Sequence, residues 1–387
     1  MRAAVALLAI AALQLPAQSI HLVGPGALPQ IRDALAIASS GDVILVQPGT
    51  YAHVEITTGV TIRGLPGGRV DIEFDPAFVP PACAQNIFCA AQQGPSDIDI
   101  QPHETVTLVD LNFVGNTALV GGITVSHRLQ ADRGTVVLDG CSVRCAGTSG
   151  LRVADCTLVC RDTEVLAMPG TFLPFALTAA DSHVLATNST FTAALSSTNF
   201  GGVGIQLIRS TLQASRVTAT GGPFAAALAA DTASAIWVSD SSFVSGAPSV
   251  CPLAVGGAAG RYDRCTFNTI PAGCTLLPTG FVAGVDQLLP IVRSSVWIAV
   301  LTAEPNAPIG VFASFGLAER PEPLVEQPLF APLPIPFALL LADAFGSATL
   351  AWNVPAAVPG HPSVWLHAVT GTGLPLQTTP PIGGAVR

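Results

Sequence analysis

Residues 31–51 read IRDALAIASSGDVILVQPGTY, and residues 60–64 read VTIRG. Ile31, Ala34, Leu35 and Ala38 recur at i, i+3, i+4 and i+7, the stripe of an amphipathic helix, and Gly41 is a stop signal. Val43-Ile44-Leu45-Val46 is a short apolar strand, and Gln47-Pro48-Gly49-Thr50 is a turn. Further strands follow near residues 54–56 and 60–64. Strands so short and so closely spaced predict the coils of a solenoid rather than a sandwich. A solenoid must cover its exposed end, and one amphipathic helix with Pro29 in its first turn serves as that cap.

The middle of the chain repeats. A polar residue, a small residue, Ser or Thr, and a large apolar residue recur in that order. The copies are Asp155-Cys156-Thr157-Leu158, Asn188-Ser189-Thr190-Phe191, Arg209-Ser210-Thr211-Leu212, Asp240-Ser241-Ser242-Phe243 and Arg264-Cys265-Thr266-Phe267. Looser copies are Asp110-Leu111-Asn112-Phe113 and Gly140-Cys141-Ser142-Val143. The apolar anchors lie 15 to 33 residues apart, about 26 on average, a period expected of repeat coils. One motif per coil gives seven coils from Phe113 to Phe267, stacked roughly 4.8 Å apart. In that register Cys141 lies over Cys156 and Cys145 over Cys160. The leading residues Asp110, Gly140, Asp155, Asn188, Arg209, Asp240 and Arg264 form a polar ladder. It reads either as a stack of turns that satisfy backbone groups or as a substrate-facing stripe.

The opening segment resembles that of pectin-lyase-like parallel β-helix proteins over about residues 20–75. There "ai..A..GD.I.v.pGtY" caps the first coil and "v.I.G" marks the next strand. The resemblance implies an all-β, right-handed parallel β-helix with an N-terminal capping helix, but it does not specify an activity, because the cap is common to enzymes and non-enzymes.

Beyond residue 275 the repeat stops, proline rises, and three of the four tryptophans appear: Trp297, Trp352 and Trp365. Residues 342–355 (ADAFGSATLAWNVP) and 360–369 (GHPSVWLHAV) together resemble a β-sandwich-like module found at the C-terminus of many bacterial secreted proteins. The chain departs from that pattern at His367, where the family usually carries glutamine. The expected organisation is a signal peptide over 1–19, a parallel β-helix over 20–280 and a small β-rich module over 285–387.

The N-terminus carries Arg2, an apolar run from Ala3 to Leu13, and the small-x-small site Ala17-Gln18-Ser19. This is the pattern of a secretory signal, and it predicts a secreted or cell-surface protein. Lysine is absent, and the 16 basic residues face 25 acidic ones, for a net charge of −9. Such a balance, without basic runs, argues against nucleic acid or an anionic membrane as partner. Nine cysteines are an odd number, and export favours disulfides among them. The candidates are Cys145–Cys160, Cys83–Cys89 and Cys251–Cys274, the alternative being a stack of buried free thiols.

Polysaccharide lyases of this fold need a base near a sugar C5 proton, commonly with Ca²⁺ to neutralise the uronate. Hydrolases need two carboxylates across the scissile bond. No complete signature of either kind is present, so the expected protein is a non-catalytic or degenerate β-helix. It would present a surface to extracellular glycan or a cell-envelope component; the alternative is a polysaccharide lyase or glycoside hydrolase. The candidate catalytic residues are Arg161, Asp162, Glu164, Asp181 and His183. Asp97, Asp99, His103 and Glu104 form an acidic cluster that could bind Ca²⁺ or sugar. Trp365 and His367 are candidates for stacking on a sugar ring.

Overall fold

The computed structural model describes residues 18–386, apart from 79–94, 116, 121–122, 127, 146–148, 168–173, 194–201, 273, 288–290, 316, 318–323, 328, 331–333 and 357–362. Its contacts divide the chain into two units. One comprises His21–Ser40 and Ile44–Gly280; the other comprises Phe281–Arg387 with two short N-terminal pieces.

The first unit is a parallel β-solenoid of about eight turns. Each full coil contributes one strand to an eight-stranded, one to a ten-stranded and one to a nine-stranded sheet. One coil runs Ser149–Ala154, Thr157–Arg161 and Glu164–Ala167; the next runs Phe175–Ala180, His183–Thr187 and Thr190–Ala193. Inward positions stack like on like. Val106, Val136, Leu158, Val184, Leu212 and Ile236 form one row of the ten-stranded sheet. Phe113, Val143, Val165, Phe191, Ala219, Phe243 and Phe267 form the corresponding row of the nine-stranded sheet. Each fully buried side chain of this size contributes roughly 1.5–3 kcal/mol.

The tetrapeptide is the chemistry of a corner. Its polar residue adopts positive φ, as at Asp155 (49°), Asn188 (48°), Arg209 (49°), Asp240 (49°) and Arg264 (47°). Asp and Asn tolerate this conformation better than most residues. The small residue then points inward, and the Ser or Thr opens the next strand. Two corners of one coil can use the same turn, as at Asp155 and Asp162 or Asp181 and Asn188, so the motif does not mark one coil each. Phe113, Val143, Phe191, Phe243 and Phe267 lie in the nine-stranded sheet, whereas Leu158 and Leu212 lie in the ten-stranded sheet.

That correction resolves the cysteines. Cys141 and Cys156 sit at different corners, and Cys145 pairs with Ala167 while Cys160 pairs with Leu138 and Ala186 in another sheet. The expected Cys145–Cys160 bond does not form, because stacking never brings the two positions together; Cys160 is a free, buried thiol, like Cys141 and Cys156. Cys251 and Cys274 are joined by a disulfide, with Cα atoms 5.6 Å apart. Cys83 and Cys89 lie outside the described residues.

The N-terminal helix is one short turn, Ile31–Leu35, so a capping helix of the expected extent is not evident. Ile31 and Ala34 are buried, but Ile37 is exposed and Ala38 only half-buried, so little apolar burial favours extending the helix.

The second unit contains two antiparallel sheets. Val296–Thr302 lies between Gly284–Gln287 and Ser347–Asn353. Pro308–Ser314 lies between Ile335–Leu341 and Ser363–Thr370, and the last strand also pairs with Gln377–Thr378 and Ile382–Ala385. Both sheets contribute to one core that includes Trp297, Leu301, Ile309, Val311, Leu350 and Leu366.

Candidate functional site

Outward side chains of the solenoid also stack in rows, so residues far apart in sequence become neighbours. On the ten-stranded sheet one row runs Val109, Asp139, Arg161, Thr187, Ser215, Ser239 and Asp263. Arg161 Nε donates to Asp139 Oδ1 at 3.1 Å, and its Nη2 donates to Asp139 Oδ2. Both side chains are only 5% exposed. Thr107, Val137, Val159, Leu185 and Gln213 on the same face are buried as well. Arg161 is therefore one half of a buried, bidentate ion pair, a geometry suited to fixing two coils to each other.

The structure does not gather the other catalytic candidates around it. Asp162 is at a corner with φ 48°, and its Oδ2 lies 3.9 Å from Arg161 Nε. Glu164 is exposed on the nine-stranded sheet, where it accepts a hydrogen bond from Arg144 at 3.0 Å. Asp181 is at the corner before the ten-stranded sheet and is held by Arg209, whose Nε donates to it at 2.6 Å. That hydrogen bond keeps the Asp181 carboxyl below the usual range. His183 opens the strand His183–Thr187, with Nδ1 2.7 Å from Thr211 Oγ1. Arg161 closes the strand Thr157–Arg161. His183 and Arg161 are thus about 13 Å apart along the strand direction, four residues at about 3.3 Å each.

The polar ladder divides in the same way. Arg264 and Asp240, successive members of the ladder, pair at 2.7 Å, but Arg209 pairs with Asp181, which is not a member, rather than with Asp240. Arg209 and Asp240 stand at different corners.

Asp97 and Asp99 share the outward face of the eight-stranded sheet. Register places Glu55 beside Asp97, and Asp132 beside Asp99. Burial, followed by the charges of Asp132, Asp99 and Glu55, pushes the Asp97 carboxyl up to about 6. Asp99 is held by Arg133 at 3.0 Å, and Asp132 by Gln130 at 2.7 Å. Glu104 belongs elsewhere. It accepts the backbone N–H groups of Gln101 (3.1 Å) and Gly59 (3.3 Å), and these bonds outweigh burial and hold its carboxyl below the usual range. His103 is exposed in the same turn. The expected four-residue cluster is therefore replaced by Glu55, Asp97, Asp99 and Asp132. Sequence reading missed Glu55 and Asp132 because only coil register makes them neighbours. Among the described residues, no group of three or more His, Cys, Asp or Glu is arranged to hold a metal ion.

Trp365 and His367 are 2% and 1% exposed. They are packing residues of the second unit, not a platform for a sugar ring, because the face of the strand that carries them is covered. Burial holds the His367 imidazole down at about 3.

The nine-stranded sheet carries a more open row: Ser142, Glu164, Thr190, Thr218, Ser242 and Thr266 are consecutive partners. All are exposed or half-exposed. Thr192 and Thr220 form a second row two residues further along. The result is a hydroxyl-rich array repeating at roughly 4.8 Å between coils and about 6.6 Å along the strands. Among the described residues, no helix is long and apolar enough to cross a membrane. No protein-family model and no curated protein gives a significant match to the chain.

Proposed function

We propose that the chain is a secreted, non-catalytic parallel β-helix that presents an extended surface to extracellular glycan or a glycan of the cell envelope. The observation that carries this reading is the exposed hydroxyl array of the nine-stranded sheet, Thr190 and Thr192 beside Thr218 and Thr220. Each hydroxyl both donates and accepts, as each sugar hydroxyl does. A repeat along the solenoid axis suits a polymer that itself repeats. The signal-like N-terminus and the Cys251–Cys274 disulfide support export to an oxidising compartment. The dispersal of Arg161, Glu164, Asp181 and His183 over different faces and strand ends speaks against a lyase or hydrolase centre built from them.

The test is a panel of soluble and insoluble polysaccharides, scored for binding and for new reducing or unsaturated ends, with and without Ca²⁺. The expected result is binding without product, weakened severalfold in Thr190→Val/Thr218→Val. Formation of new ends would overturn the non-catalytic reading; absence of binding to every glycan would overturn the glycan surface.

A further inference from the structure

In the unit formed by Phe281–Arg387, a cavity of about 390 Å³ lies on the outer face of the second sheet. Its floor is Pro308, Gly310 and Phe312, which alternate with the core residues Ile309, Val311 and Ala313. Its wall includes Leu324, Val325 and Leu329. That segment is tied to the sheet side by backbone bonds: Glu326 N–H to the Leu376 carbonyl at 2.7 Å, and Leu376 N–H to the Leu324 carbonyl at 2.8 Å. The side chain of Gln327 adds a third tie, accepting the Thr378 N–H at 2.9 Å. Floor and wall are therefore both held in place before any ligand arrives.

The lip is apolar too. Leu339 and Leu341 are the register partners of Gly310 and Pro308, and they are 80% and 68% exposed. Leu324, in the wall, is 52% exposed. Leaving this much hydrocarbon in water costs roughly 25 cal/mol per Å². A concave site of this size with an apolar surround fits a small molecule better than a flat partner surface does. None of the described lining residues is charged, so those residues give a carboxylate, phosphate or ammonium head group no ionic partner.

We propose that this cavity binds the aliphatic chain of an amphiphile, with its head group left in water. Gly310 provides the decisive variant. A Cβ at this position would meet the Phe312 ring at 3.4 Å, an ordinary contact, so a longer side chain is tolerated by the backbone and fills the cavity from its floor. The experiment uses the full chain and the neutral fluorescent probe N-phenyl-1-naphthylamine, with 1-dodecanol as competitor. The expected result is one saturable site per chain, displaced by dodecanol and weakened at least tenfold in Gly310→Leu, with unchanged circular dichroism. Leu324→Asp, which places a carboxylate at the mouth without touching the sheet, gives the same loss if Gly310→Leu fails to fold. Absence of saturable binding, or binding unaltered in both variants, would overturn the proposal. So would a concentration-dependent dimer that Leu324→Asp dissociates while the probe never binds, because the face would then join two copies.

Discussion

Ser182 Oγ accepts the backbone N–H of Cys156, one coil away, at 3.2 Å, while donating to the carbonyl of Ala180 at 2.6 Å. The same relation links Ser182 N–H to Ser210 and Ser210 N–H to Ser234, each at 3.1 Å. A second corner carries the matching ladder, with Thr163 N–H bonded to Ser189 at 3.3 Å and Val217 N–H to Ser241 at 3.0 Å. Cysteine is a variant of this slot: the Cys265 thiol donates to the Asp263 carbonyl at 3.2 Å, as Ser241 donates to Ser239.

Removing one rung leaves a buried N–H without its partner, which costs about 1–3 kcal/mol. Ser210→Ala is expected to lower unfolding stability by that amount, and Ser210→Cys by less, because sulfur fills the slot and retains a weak bond. Denaturant unfolding of the two variants decides it; equal losses would remove the hydrogen-bonding role of the ladder.

The Arg161–Asp139 pair makes a larger claim. Breaking a buried pair from one side strands a charge and costs about 3–5 kcal/mol. Asp139→Leu and Arg161→Met should each approach that loss, whereas Asp139→Leu/Arg161→Met should lose less than their sum. A double-mutant cycle by thermal melting measures the coupling.

Acid should weaken the protein through two histidines. Burial, with the charge of Arg32 in second place, lowers His53 to about 4, and burial lowers His367 to about 3. Unfolded, both titrate near 6.5. The unfolded chain therefore gains protons first, and stability present above about pH 6.5 is lost as pH falls through about 4 and then about 3. His367→Leu should flatten the lower part of this acid limb, read as melting temperature against pH.

Asp97 behaves in the opposite sense. Its carboxyl titrates at about 6 when folded and near 3.9 when unfolded, so its ionisation disfavours the folded state as pH rises through 6. Asp97→Asn should therefore stabilise at pH 8 and make no difference below about pH 4. The gain should shrink in high salt, which screens Glu55, Asp99 and Asp132.

Burial pushes the thiols of Cys141 and Cys156 up to about 12, and it also raises Cys160. Alkylation of the native protein at pH 8 should spare all three and modify them only after unfolding. Mass spectrometry of the native and denatured samples distinguishes the two states.

The corner motif was legible because its demands are local. The positive-φ position takes a polar residue or Gly, here Asp, Asn, Arg or Gly; the inward slot calls for a small residue; and the strand start calls for a β-former. What was not legible was which corner each copy occupies, because two corners of one coil can use the same turn. The same ambiguity produced the Cys145–Cys160 pairing and the mixed charge ladder. Asp139 is 22 residues from Arg161, a separation that carries no signal until the coil length between them is known. Trp365 was misread for a different reason. Strand alternation places it opposite the core residues Val364 and Leu366, but that face is itself covered and leaves it only 2% exposed.

The corners from the ten- to the nine-stranded sheet are two residues long in coil after coil: Asp162-Thr163, Asn188-Ser189, Arg216-Val217, Asp240-Ser241 and Arg264-Cys265. The connections leaving the nine-stranded sheet vary widely, from Ala52 to Glu55 at one extreme to Glu73 to Pro95 at the other. Length is thus rationed on one side of the molecule and free on the other. New sequence can accumulate along a single seam without disturbing the stacked rows, so a lineage can change what the solenoid carries while inheriting the spool on which it is wound.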